Sequence, residues 1–96
     1  MTRKCNYVIR SYTKKQAMRL GVTLKVSTNP KYKLDVFKNG QRIARCGACG
    51  YADYPTFMAT RGRKYATTRR RLYKQRHEKD RHVVGSRGYY ADKLLW

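Results

Sequence analysis

The chain is 96 residues long and carries 24 Lys and Arg against five Asp and Glu, a formal net charge of +19. A domain of this length buries one modest core, and small domains stay soluble with a net charge of magnitude about 2–8, so this surface needs a polyanion. No apolar run approaches the roughly 18 residues of a spanning helix, and no apolar stretch follows the basic start "MTRK" as in a signal peptide. A soluble protein without a membrane partner is the expectation.

Residues 1–10 read as a basic N-terminal arm and 11–96 as a single α+β domain. "SYTKKQAMRLG" predicts a short helix capped by Ser11 or Thr13, with Ala17, Met18 and Leu20 inward and Gly21 ending it in the left-handed conformation. "VTLKVST" alternates at strand period. Asn39-Gly40 lies between two further alternating runs and predicts a type I′ hairpin, because both central residues of that turn need positive φ. A two-residue turn pairs Val36 with Ile43 and Leu34 with Arg45. Tyr32, Leu34, Val36 and Ile43 then share one face, with Phe37, Ala44 and Cys46 on the other.

"YADYPTF" reads as a corner held by Asp53, with Tyr51 or Tyr54 buried. A basic helix follows from about Arg63 or Thr67, its packed stripe marked by Tyr65, Leu72, Tyr73 and His77. Ten residues from Arg61 to Arg81 are basic and only Glu78 and Asp80 are acidic. "VVGSRG" breaks the helix, and the apolar ending Leu94-Leu95-Trp96 belongs in the core. The architecture expected is a small antiparallel sheet, the NG hairpin plus one further strand, against a basic C-terminal helix and a short N-terminal one.

Cys46-x-x-Cys49 and His77-x4-His82 have spacings that zinc ligands use, but the 27 residues between the pairs exceed a finger's linker. On one unbroken helix the two histidines would also point about 140° apart. No metal or other cofactor is therefore expected, and the cysteines read as incidental to the corner. Three cysteines, an odd count, suit a reducing compartment, with Cys5 exposed and unpartnered. The five acids are scattered and no nucleophile sits beside a histidine, so no enzymatic activity or small-molecule substrate is expected. Asp35 is expected to pair with Arg42, and Asp53 and Asp92 to hold backbone amides or arginines.

The physical case is strongest for nucleic acid. Arg61, Arg63, Lys64, Arg69, Arg70, Lys74 and Arg76 are the candidate phosphate contacts, because a guanidinium grips phosphate bidentately and each neutralised phosphate releases counterions. Tyr65, Tyr73, Tyr89 and Tyr90 are assigned to the core, since a chain with two Phe and one Trp needs their bulk. That combination predicts backbone contact without base reading.

"KLDVFKNGQRIARCG", "GYADYPTF", "RRRLYKQRHEKDRH" and "GSRGYYADKLLW" together resemble a family of small, basic, largely uncharacterised proteins encoded by large DNA viruses of algae and amoebae. The resemblance spans about residues 11–96. Its most specific parts are Gly50-Tyr51-x-Asp53-Tyr54, Arg71-Leu72-Tyr73-x-x-Arg76-His77 and the closing Leu94-Leu95-Trp96; Cys46 and Cys49 fall outside it. It implies a virion protein, found in the host cytoplasm or viral factory during assembly, that binds nucleic acid, DNA in preference to RNA. The alternative is a minor capsid protein cementing acidic surfaces of the major shell. A ribosomal-type RNA binder is a third reading of the same size and charge.

Overall fold

The computed structural model describes residues 5–96 and bears out the α+β expectation. Helix α1 (Ser11–Leu20) leads into a three-stranded antiparallel sheet of β1 (Thr23–Val26), β2 (Tyr32–Lys38) and β3 (Gln41–Ala48) in that spatial order. Helices α2 (Tyr54–Arg61), α3 (Arg63–Arg76) and α4 (Arg87–Leu95) follow.

Local chemistry accounts for the boundaries. Gly21 adopts φ 70°, and the pair of bonds Gly21 N to Met18 O and Val22 N to Ala17 O closes the end of α1 in the glycine-terminated pattern. Its N-cap is Arg10, without a side-chain cap, rather than Ser11 or Thr13. Thr13 and Ala17 are its buried positions, and Met18 is exposed, not inward as the apolar count suggested.

The NG turn forms as predicted, with Asn39 at φ 53° and Gly40 at φ 79°, but the register beyond it does not. A bulge opposite Val36 and Phe37 inserts Ile43, so Val36 faces Ala44, Leu34 faces Cys46 and Asp35 faces Arg45. One inserted residue moves every following side chain to the other face. Ile43 therefore lies exposed, while Cys46 is fully buried beside Leu34 and Val36.

The core joins those three residues to Ala17, Val22, Tyr73, Ala91, Leu94, Leu95 and Trp96. The apolar terminus is buried as expected, and α4 packs on β3 and α1. Gly47 permits that approach. A Cβ there would meet Leu95 Cδ1 at 2.6 Å, and its φ of 77° suits glycine. Residues Lys33 through Val36 are all buried, so β2 is covered on both faces.

The corner after β3 is a helix rather than an irregular bend. Asp53 is the N-cap of α2, accepting the Thr56 N–H at 3.0 Å, with Pro55 in the first turn. Of the two tyrosines assigned there, Tyr51 is exposed and Tyr54 half-buried. Helix α3 stops at Arg76, so His77 is its C-cap and His82 lies in the turns beyond.

Candidate nucleic-acid interface

Four of the five side-chain carboxylates, those of Asp35, Asp53, Glu78 and Asp92, bind cations of the fold, and Asp80 lies exposed beside His77. Asp53 accepts Lys33 Nζ at 3.1 Å and the Tyr7 hydroxyl at 2.6 Å, and Lys33 Nζ also lies 5.2 Å from the centre of the Tyr7 ring. Burial first, and then the hydrogen bond to Asp53, hold the Tyr7 phenol protonated far above its ordinary range. Asp35 accepts Ser27 Oγ at 2.5 Å and Arg45 Nε at 3.1 Å. Burial alone would raise its pKa, but the bonds from Ser27, the Thr28 amide and Arg45 outweigh that and leave it lowered. The bulge that shifts the register is the reason its partner is Arg45 and not Arg42.

Asp92, buried on α4, accepts Lys74 Nζ at 2.7 Å and lies 3.7 Å from Arg81. Glu78 binds Arg81 at 2.9 Å and His82 at 2.7 Å, and those two bonds lower its pKa. Asp80 lies 3.8 Å from His77. Asp53 and Asp92 thus hold backbone and cations, as their positions in the sequence suggested. Apart from Lys33, Arg45, Lys74 and Arg81, no lysine or arginine among the described residues has a carboxylate within 4 Å.

The seven candidate phosphate contacts separate into two groups. Arg61, Arg63, Lys64 and Arg76 are exposed, the first three where Gly62 joins α2 to α3. Arg61 lies over the Tyr65 ring at 4.3 Å, which fixes its stem and leaves its edge in solvent. Arg69, Arg70 and Lys74 instead face the fold. Arg69 lies over Phe57 at 5.6 Å, Arg70 over Tyr54 at 4.1 Å, and Lys74 is bound to Asp92.

The inner stripe of α3 is accordingly Ala66, Arg69, Arg70, Tyr73 and Lys74, at the helical repeat, continued by the C-cap His77. Tyr65 and Leu72 lie outside it, 36% and 38% exposed. Tyr73 is buried and stacks on Trp96 at 4.3 Å, and burial pushes its pKa up to about 12. Tyr89 and Tyr90 are half-buried. Arg71 and Arg87 are exposed cations that join the outer set; the "RRR" run marked the first, and nothing local distinguished the second.

The zinc constellation does not assemble. Cys49 is disulfide-bonded to Cys5, so neither is an available thiolate, and the expectation of an unpartnered, exposed Cys5 is corrected with it. Cys46 is the free cysteine, buried in the core, where desolvation pushes its pKa up to about 12. His77 and His82 are taken up by Asp80 and Glu78. Among the described residues no cluster of three or more His, Cys, Asp or Glu could hold a metal ion, and no helix is long and apolar enough to cross a membrane.

No family model matches the chain, and no curated protein or solved structure is significantly similar to it. The case for function therefore rests on the chemistry of this surface.

Proposed function

We propose that the protein is a non-enzymatic nucleic-acid-binding module that grips the phosphate backbone through Arg61, Arg63, Lys64 and Arg76. The observation that carries this reading is the partition of charge. Four of the five carboxylates are spent on cations inside or against the fold, so the outer cations have no internal counter-charge and a polyanion is their natural complement. Arg61, Arg63 and Lys64 cluster at one helix junction, which suits adjacent phosphates of a strand. Arg69, Arg70 and Lys74 serve by fixing α3 against α2 and α4. The virion setting, and the preference for DNA, rest on the sequence resemblance.

Electrophoretic shifts across a salt series test the proposal. The logarithm of affinity falls linearly with the logarithm of salt, by about 0.9 per duplex phosphate contacted. Changing Arg61, Arg63, Lys64 and Arg76 together to Gln flattens that slope by about 3 to 4. Tight binding that ignores salt overturns the reading. Partition of the protein with the shell rather than the genome in fractionated virions would support the capsid cement instead.

A further inference from the structure

A cleft of about 670 Å³ opens between the end of β3, α3 and the first turn of α4. Small-molecule sites occupy about 300–1,000 Å³ and combine an apolar lining with a few placed polar groups. This cleft has both. Phe57, Tyr73 and Trp96 line it, and Arg69, Arg76 and Arg87 stand in its walls. The rings stack on one another, Trp96 on Tyr73 at 4.3 Å and Tyr73 on His77 at 4.3 Å, so both faces of Tyr73 are filled and Trp96 and His77 are the ends of the stack that line the cleft.

The three arginines are uncommitted to acid. None has a carboxylate within 4 Å among the described residues. Arg69 Nε is shielded from solvent with no hydrogen-bond partner, so ring contact holds that guanidinium rather than an acceptor. The one carboxylate in the walls among the described residues, Asp80, lies 3.8 Å from His77. A flat aromatic group bearing an anion matches this lining on both counts.

We propose that the cleft takes an unpaired nucleotide of a bound strand, with its base on the aromatic stack and its phosphate on Arg76 and Arg87. This rests on the nucleic-acid reading and departs from the expectation of backbone contact alone. It makes the protein prefer strands with unpaired segments over uninterrupted duplex, because a base inside a helix cannot leave the stack without cost.

Trp96 is the single tryptophan of the chain and lines the cleft, so its emission reports occupancy. The protein is titrated at one salt concentration with a 20-residue oligothymidylate, an abasic oligonucleotide of equal length, and thymidine 5′-monophosphate. The oligothymidylate should quench Trp96 and bind at least about tenfold more tightly than the abasic strand, the gain expected from stacking a base. Ala52→Phe, at an exposed position on the cleft wall, removes the quench and the base-dependent gain. Arg87→Gln, at an exposed position lining the cleft, weakens binding of the oligothymidylate, and the unfolding midpoint of each variant is measured alongside. Equal binding of both strands without quenching overturns the cleft assignment and leaves phosphate binding standing. Binding of neither strand at low salt overturns both. Saturation by the monophosphate at the strand's own affinity reassigns the cleft to a free nucleotide and overturns the strand as its occupant.

Discussion

Asp53 is the position where one substitution should cost most. Its carboxylate is fully buried, caps α2 through Thr56, and accepts both Lys33 and Tyr7. In Asp53→Ala the lost cap costs about 1 kcal/mol. The larger loss falls on Lys33, whose side chain is 5% exposed and would lose its counter-charge. Removing one partner of a buried pair typically costs about 3–5 kcal/mol. Cap and pair share one carboxylate, so the two do not simply add, and a net loss of about 4 kcal/mol is expected. A domain of 96 residues holds only about 5–14 kcal/mol in total. The loss should therefore lower the melting temperature by more than about 15 °C. Urea unfolding followed by Trp96 emission measures it. The double variant Lys33→Met with Asp53→Asn should recover at least about 2 kcal/mol, because it leaves no unpaired charge and asparagine still caps. A cost below about 1 kcal/mol for Asp53→Ala, or a double variant no more stable than it, would refute the reasoning.

The disulfide and the sheet acid give two further expectations. Cys5 and Cys49 close a loop with a sequence separation of 44; the chain-entropy relation assigns about 4 kcal/mol to it, so Cys5→Ser should lower the urea midpoint while an intact native protein leaves buried Cys46 unlabelled by iodoacetamide. Asp35 has its pKa lowered in the fold, so its contribution is fully present above the unfolded value near about 4 and is lost as pH falls through the folded one. Asp35→Asn should accordingly flatten the loss of stability below pH about 4, and an unchanged acid limb would count against the Ser27–Asp35–Arg45 arrangement.

What the sequence discloses depends on how local the cause is. Asn39-Gly40, Gly21 and the apolar ending each act within a few residues, and each is where the pattern placed it. The capping signal of α2 is equally local, since Asp53 precedes a proline in the first turn, yet a proline after two tyrosines reads as readily as a bend. The bulge at Ile43 is different in kind. Alternation continues on both sides of it, and only packing decides which phase is buried, so a one-residue insertion exchanged Ile43 for Cys46 in the core. The Cys5–Cys49 pair joins segments 44 positions apart, and no spacing rule reaches that far.

The misplaced arginines follow from the same distinction and bear directly on function. An apolar count over α3 puts Tyr65 and Leu72 inside because they are hydrophobic, whereas the buried stripe runs through Ala66 and Tyr73 with Arg69 and Arg70 between them. An arginine has an apolar stem and a planar head that lies flat on a ring. Phe57 and Tyr54, supplied by α2, provide those rings. Two of the seven candidate cations are thereby structural and Lys74, bound to Asp92, is a third, so the candidates left outside are a cluster at the α2–α3 junction together with Arg76 beside the cleft. A diffuse cationic ridge would bind any polyanion equally. In the proposed reading, a junction cluster together with an aromatic cleft whose Arg76 and Arg87 have no carboxylate partner would discriminate an unpaired strand from a smooth duplex or an acidic protein face.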